Sequence, residues 1–212
     1  MEGLLGSHIV VADTNALYAY EIAAGVRVGG EHVATGDADR LWDARRSLQL
    51  SSAGIVRRQG FMSLLKRADS SFVAQHGLVA TNSSGYIVDL IIPEQKPPEL
   101  ISAGGVDAQP IEGMEWLLAA PQFEQTIIAA DGVPLRIVVP EPRTFALHKL
   151  WVSRRPGRNA LKKPKDQAHS RIVAILSERY LSLPLVAKDM PWLPTELKSL
   201  LKDLKTSTRI QS

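Results

Sequence analysis

Three aspartates stand in surroundings that favour metal-binding or catalytic chemistry. Asp89 lies inside the otherwise apolar run Gly85-Tyr-Ile-Val-Asp-Leu-Ile-Ile-Pro93. Such a run is typical of a buried strand, and a buried carboxylate is costly unless something compensates its charge. Asp37 and Asp39 are two residues apart, so on a strand they share one face. Three carboxylates that converge from two strands form a site for a hard cation such as magnesium, and we predict such a site here.

The Asp-x-Asp triplet by itself is a weak signal, because a chain of this length and charge contains one by chance about once or twice. Its alternative interpretation is two solvated carboxylates near a turn. The order of predicted elements strengthens the metal-site interpretation: a strand, a helix with Asp13, Thr14 and Asn15 as N-cap candidates, then the Asp-x-Asp strand. The amino terminus of that first helix can bind phosphate through its free backbone N–H groups and its dipole.

The elements that must position these residues follow from hydrophobic periodicity and turn residues. The chain is predicted to be mixed α/β first and helical last. The predicted divisions are a domain over residues 1–141 and a helical region over residues 142–212. We predict strands at 7–12, 37–42, 72–79 and 86–92, a loop at 93–109, a type I′ hairpin from 126–130 to 133–139 around Asp131-Gly132, and helices at 16–24, 43–49, 60–68, 144–154, 165–181 and 195–204.

Bulk composition restricts the class of protein. The 212 residues suffice for a sizeable core, and 45% hydrophobic with 22% charged residues is typical of a soluble globular protein. With no cysteine, disulfides, thiolate metal sites and thiol catalysis are excluded. The first residues lack the pattern of a signal peptide, and no apolar run approaches the roughly 20 residues that span a bilayer. We therefore expect a cytoplasmic protein with no membrane partner.

Charge is distributed unevenly along the chain. Residues 1–140 carry 10 Lys/Arg and 16 Asp/Glu, whereas residues 141–212 carry 15 and 6, which together give the net +3. Six positive residues and no acid fall within residues 154–165. This basic cluster predicts contact with a polyanion such as nucleic acid, and its alternative is a solvated helix face. Its members are Arg154, Arg155, Arg158, Lys162, Lys163 and Lys165.

Several exact strings resemble one bacterial family of nucleotidyltransferase fold and unassigned function, within the DNA polymerase beta-like nucleotidyltransferase superfamily. The resemblance covers residues 14–151 and extends to Asp166. The strings are Thr14-Asn-Ala-Leu-Tyr-Ala-Tyr-Glu21, Leu41-Trp-Asp-Ala-Arg45, Asp69-Ser-Ser-Phe72, Gly85-Tyr-Ile-Val-Asp-Leu-Ile91 and Pro142-Arg-Thr-Phe-Ala-Leu-His-Lys-Leu-Trp151.

The resemblance implies a small mixed sheet, an NTP substrate and transfer of NMP to an acceptor hydroxyl on RNA, protein or a small molecule. By the same resemblance Asp37, Asp39 and Asp89 would hold two magnesium ions, with Asp89 as the candidate general base. The residues implied to bind the triphosphate are Thr14, Asn15, Lys149, Arg158 and Lys165. For Lys149 a lysine at the edge of a helix is the alternative. His148 and His169 are further general-base candidates, although a single helical histidine is more often structural.

One residue departs from the family pattern. The glycine that the family has before Thr-Asn is Asp13 here. A carboxylate at this turn would repel a triphosphate, and its Cβ would restrict the approach of the phosphates. The alternative is a simple N-cap aspartate, which suits an empty helix. Asp13 therefore supports a second hypothesis, a catalytically impaired nucleotide- or nucleic-acid-binding protein that retains the fold.

Overall fold

A computed structural model describes residues 9–28, 47–52, 58–75, 79–93, 110–128 and 132–209. The eight strands of this part of the chain are short, and two of them have only two residues. They are β1 (Ile9–Ala12), β2 (Ser47–Ser52), β3 (Val73–Ala74), β4 (Val79–Thr81), β5 (Ile87–Pro93), β6 (Pro110–Ile111), β7 (Gln122–Ile128) and β8 (Pro134–Pro140).

Helices precede, separate and follow these strands, and the longest lie in the carboxy-terminal third. The α-helices are α1 (Ala16–Ala24), α2 (Arg58–Ala68), α3 (Met114–Ala119), α4 (Pro142–Arg154), α5 (Lys163–Arg179), α6 (Thr195–Lys198) and α7 (Leu201–Arg209). Short 3₁₀ turns occupy Asp13–Asn15 and Ala187–Asp189. Among the described residues, no helix has the length and apolar character needed to cross a lipid bilayer.

The main sheet has the strand order β1-β2-β5-β4-β3, with β6 paired to the end of β5. Strands β2 and β5 are parallel, while β1 with β2, β4 with β5 and β3 with β4 are antiparallel. Strands β7 and β8 form a separate antiparallel pair. The predicted α/β class, a small mixed sheet followed by helices, is therefore confirmed.

One hydrophobic core joins the amino-terminal elements to the carboxy-terminal helices. Tyr20 of α1 is fully buried, and its hydroxyl donates to the carbonyl oxygen of Pro140 over 2.7 Å. Its ring meets Phe123 and Phe145 edge to face, with centroids 5.7 and 5.6 Å apart. Such buried aromatic contacts fix α1 against β7, β8 and the first turns of α4. The amino terminus of α1 and the second half of α4 are thereby held in one rigid neighbourhood.

Local signals placed most elements correctly. Helix α1 spans the predicted residues 16–24 and ends at Gly25, whose φ of +64° is the left-handed conformation that glycine adopts most easily. Helices α2, α4 and α5 and strands β1 and β5 also lie where they were predicted, within a few residues. The predicted loop at 93–109 falls largely outside the described residues.

Two other predictions were wrong because pairing partners distant in sequence decided the structure. The predicted helix at 43–49 is contradicted at Ser47–Ser52, which forms β2 between β1 and β5. The Ser-Leu-Gln-Leu-Ser-Ser alternation was the missed signal, since a period of two is that of a strand. The single strand predicted at 72–79 is instead two short antiparallel strands, β3 and β4, where the chain reverses.

The last two corrections concern a turn and a helix. Ile128 is opposite Pro134, so five residues connect β7 to β8. A two-residue turn at Asp131-Gly132 would place residue 130 opposite residue 133, a register that this pairing does not allow. The predicted helix at 195–204 is broken into α6 and α7. Leu197, Leu201 and Leu204 nevertheless remain on the buried side, as their helical spacing predicts.

Candidate nucleotide-binding site

A sharp turn connects β1 to α1 and carries the first predicted site residues. Val10, Val11 and Ala12 are buried, so the strand delivers the turn directly to the edge of the core. Asp13 has a φ of +54°, in a region that non-glycine residues seldom adopt, although aspartate is among the more tolerant. The 3₁₀ turn Asp13–Asn15 then leads into α1. The amino-terminal N–H groups of this helical segment therefore open beside the carboxylate of Asp13.

The predicted capping role of this turn is wrong. The Asn15 side chain makes no capping hydrogen bond at the start of α1, and Thr14 is buried in the turn. Asp13 instead accepts a hydrogen bond from Lys149 of α4, a residue distant in sequence. The carboxylate serves an ion pair between two elements and does not cap its own helix.

Lys149 is the centre of an ion network between α1, α4 and α5. Only 8% of the residue is exposed. Besides its contact with Asp13, its Nζ donates to Oδ1 of Asp166 over 3.0 Å. Nζ also lies 5.7 Å from the centroid of the Phe145 ring, within the range of a cation–π contact. A buried lysine held between two carboxylates keeps its positive charge without a bound ligand.

Asp166 joins Lys149 to Arg158. It is 1% exposed, and its Oδ2 accepts from Arg158 through Nε at 2.7 Å and Nη2 at 2.6 Å. This paired geometry fixes the guanidinium more firmly than a single bond would. Helices α4 and α5 are themselves locked at this level, because the Ser170 hydroxyl donates to the Ala146 carbonyl over 2.7 Å. The two cations are therefore oriented by a rigid buried support.

Lys165 completes the group of cations. No acid within the described part of the chain lies within ion-pair distance of its ammonium group. Burial lowers the pKa of Lys165 the most, and the positive charge of Lys149 lowers it further, while Asp13 and Asp166 partly oppose this. A lysine of this kind gains from an added anion, because the anion would restore the stability of its charged form.

The network stays ionised across the physiological pH range. Burial alone would raise the pKa of Asp13, but Lys149, with His169 and Lys165, holds that pKa well below its usual range. Burial would lower the pKa of Lys149, but Asp13 and Asp166 outweigh it and raise that pKa. Two carboxylates and three cations therefore face each other here, and the network of Asp13, Lys149, Arg158, Lys165 and Asp166 keeps a positive charge.

Comparison with known proteins assigns the family. A family model described as nucleotidyltransferase matches residues 1–191, which include this whole network. The chain belongs to this nucleotidyltransferase family. Searches of curated proteins and of solved structures found no match. The family membership and the cation network at the helix amino terminus agree with one another, since nucleotidyltransferases act on phosphate-containing substrates.

The nucleotidyltransferase carboxylates predicted from the sequence are only partly accessible to structural description. Asp89 lies on β5, where its backbone is opposite Gln49 of β2 and Val79 of β4. Asp37 and Asp39 lie outside the described residues. Within the described side chains no group of three histidine, aspartate or glutamate residues has the spacing of a metal site. The magnesium site at the three aspartates stays a prediction.

Among the phosphate-binding residues predicted from the sequence, Lys149 and Arg158 meet through Asp166, and Lys165 lies near enough to feel their charges. Thr14 and Asn15 follow Asp13 in the same turn. Sequence reasoning did not find the central role of Asp166 or the contact between Asp13 and Lys149. The adjacent pair Lys165-Asp166 in a basic segment was the available signal for the first.

Two arginines of the basic cluster have acidic partners elsewhere. Arg154 donates to Asp203 of α7 over 2.6 Å. Arg155 pairs with Glu112 and lies over the ring of Trp151, with 4.8 Å from its Cζ to the centroid. Lys162 and Lys163 make no ion pair with another described residue. Contact between this cluster and a polyanion stays a prediction, and its two lysines are the members best able to serve it.

Proposed function

We propose that this protein transfers a nucleoside monophosphate from a nucleoside triphosphate to an acceptor hydroxyl, with the triphosphate held at the Lys149 network. The observation that carries the proposal is the convergence of Lys149, Arg158 and Lys165 at the amino terminus of the α1 segment. A helix amino terminus and several cations together match the charge of a triphosphate. Membership of a nucleotidyltransferase family supports the same assignment.

Each cation has a distinct part in the proposed binding mode. The ammonium of Lys149 has three donors, two of which are used by Asp13 and Asp166, so it can also meet a phosphate oxygen. Arg158 is about a third exposed while its Nε and Nη2 are anchored on Asp166, which leaves its remaining donors directed away from that anchor. Lys165, without an ion pair of its own among the described residues, would gain a counter-ion.

The chemical step assigned to this family is an in-line displacement. The acceptor oxygen bonds to the α-phosphorus, the bond to the bridging oxygen breaks, and pyrophosphate leaves. We assign the proton of the acceptor hydroxyl to the carboxylate of Asp89, and we assign Asp37, Asp39 and Asp89 as ligands of two magnesium ions. Bound magnesium would neutralise charge on the attacking and leaving oxygens. The cations of the Lys149 network would bind and orient the β- and γ-phosphates that leave.

A binding experiment and a turnover experiment test separate parts of this proposal. The four common NTPs, labelled at the α-phosphate, are titrated with magnesium against wild type, Lys149→Gln and Lys188→Gln. Lys188 lies on the exposed 3₁₀ turn and matches the loss of one positive charge. We expect Lys149→Gln to weaken binding about 10- to 100-fold, as for loss of a charge-assisted hydrogen bond, with little change in Lys188→Gln.

Transfer of label to tRNA, to protein or to a small-molecule fraction then reports chemistry. We expect Asp89→Asn to abolish transfer and to retain NTP binding at the Lys149 network. If none of the four NTPs binds, or if Lys149→Gln binds as well as wild type, the triphosphate site is wrongly placed.

A second candidate function is nucleotide or nucleic-acid binding without catalysis. The contact of Asp13 with Lys149 favours it, because a carboxylate already uses a cation that the substrate needs. Binding of NTP that depends on Lys149, together with no transfer of label to any acceptor fraction, would select this second function.

A further inference from the structure

Asp13 occupies a backbone position that costs free energy for any residue with a side chain. Its φ of +54° is left-handed, a conformation that glycine reaches freely and that costs other residues roughly 1 kcal/mol. The carboxylate gained at that cost does not cap the helix and instead contacts the ammonium of buried Lys149. The side chain at this position therefore acts on the cation network.

The carboxylate also stands where an incoming anion would be attracted. It lies at the start of the helical segment and beside Lys149, and both Lys165 and His169 lower its pKa through their charges. A group that experiences all of these favourable interactions already uses the field that would attract a phosphate. Asp13 is a negative charge supplied by the chain itself at that place.

We propose that Asp13 is an intramolecular competitor of the triphosphate, whose carboxylate must release Lys149 before a phosphate can take its place. This inference rests on the proposed function, because it assumes that the network is the phosphate site. Asp13 reduces the positive charge of the network from two to one, since Lys149, Arg158 and Lys165 face Asp166 and Asp13.

The buried part of the network allows Asp13 to leave without collapse of the site. Lys149 stays anchored by Asp166, which in turn keeps both bonds to Arg158. The Asp13 side chain is 28% exposed, whereas that of Asp166 is 1% exposed, so only Asp13 can turn toward solvent. Asp166 is the permanent counter-ion of Lys149, and Asp13 is the exchangeable one.

Inorganic tripolyphosphate without metal is the suitable probe, because it tests the phosphate site independently of base, sugar and magnesium. Calorimetric titrations compare wild type with Asp13→Asn, Asp13→Gly and Asp189→Asn. Asparagine keeps the size of the side chain and tolerates the left-handed region, so it removes the charge alone. Asp189 lies on the exposed 3₁₀ turn and controls for the change in net charge. Thermal melting of each variant verifies that it is folded.

We expect Asp13→Asn and Asp13→Gly to bind tripolyphosphate about fivefold more tightly than wild type, as for removal of a partly exposed repulsion, with Asp189→Asn unchanged. Adding Lys149→Gln to Asp13→Asn should remove the gain. A gain in the glycine variant alone would overturn the proposal, because steric blocking by Cβ would then be the cause.

The remaining outcomes separate this inference from the proposed function. Equal binding by wild type and Asp13→Asn, with a loss in Lys149→Gln, overturns the competitor role and leaves the phosphate site in place. Absence of binding in every variant overturns both.

Discussion

Helix α4 carries a buried ion network at each end, and the two differ in charge balance and in exposure. At its start Glu141 accepts from Arg143 Nε over 2.6 Å and from the backbone N–H of Thr144 over 2.8 Å. Both charged side chains of this network are at most 8% exposed. Near its end Lys149 is shared between Asp166 and the partly exposed Asp13.

The network at Glu141 is balanced and closed. One acid faces one base, and Arg143 Nη1 also donates to the carbonyl of Pro184 over 3.1 Å. Trp192 Nε1 donates to the Thr144 hydroxyl over 3.0 Å, so the chain after α5 is bound to the start of α4. These bonds are used within the fold, and we interpret this network as structural.

The network at Lys149 has more cations than acids and reaches solvent through Asp13 and Arg158. A positive excess near the surface can take up an anion without breaking the fold, whereas a balanced and buried pair cannot. The comparison teaches that burial and ion pairing alone do not identify a functional site. The informative features are the charge left over and a partner that can be exchanged.

The largest expected effect is on the balanced network. Arg143→Met leaves Glu141 buried without its cation, and we expect the free energy of unfolding to fall by about 3 kcal/mol. Binding of tripolyphosphate by the folded variant should be unchanged, because Lys149 keeps its contacts. Chemical denaturation and calorimetry measure the two quantities separately.

The double variant Glu141→Gln/Arg143→Met is the matched control for this prediction, because it removes the uncompensated charge. We expect it to regain part of the lost stability. A loss of tripolyphosphate affinity in Arg143→Met would mean that the two ends of α4 are not independent, and the comparison would fail.

The next effect concerns pH and His148, which lies on α4 beside Lys149. Burial, with a smaller effect of Lys149, lowers the pKa of His148 from 6.5 to about 3, although Asp13 and the Glu112 backbone oppose this. The unfolded chain takes up a proton below pH 6.5 and the folded chain does not, so stability is complete above pH 6.5 and falls as the pH falls toward 3. We expect a loss of about 2–3 kcal/mol between pH 6.5 and pH 4.5.

Denaturant unfolding at a series of pH values measures this loss, and His148→Gln should flatten it. Asp13 and Lys149 stay charged throughout, since their pKa values are lowered from 3.8 and raised from 10.5. An equally steep pH dependence in His148→Gln would assign the effect to other groups.

The smallest effect tests the basic cluster against the Lys149 network. Because Arg154, Arg155 and Arg158 already have acidic partners, Lys162 and Lys163 should dominate any contact with a polyanion. We expect Lys162→Ala/Lys163→Ala to flatten the plot of log K against log salt for tRNA or duplex DNA by roughly 1 to 2 units. Filter binding over a salt series measures the slope.

Lys198→Ala/Lys202→Ala removes the same charge from exposed positions on α6 and α7 and serves as the control. Tripolyphosphate binding should be equal in both double variants. Equal slopes, or no binding of either polymer at low salt, would identify the cluster as a solvated face.

Much of the fold could be predicted because its signals are local. Helix α1 has apolar residues and a left-handed glycine at its end, and β5 is a continuous apolar run with turn residues before it. The errors at β2 and in the β7–β8 connection have a common cause. Strand pairing and register depend on residues that are distant in sequence, so propensity alone cannot decide them.

The sequence by itself determined the family, the mixed α/β class, the helical carboxy-terminal third and the identity of the cations Lys149, Arg158 and Lys165. These follow from exact strings, periodicity and residue type, which need no knowledge of contacts. Only the tertiary structure decided what Asp13 does. The sequence left repulsion of a ligand and helix capping as alternatives, and the packing of α4 and α5 against α1 brought Lys149 to the carboxylate. An ion pair between residues so far apart depends on the position of whole helices, and no local pattern encodes that position.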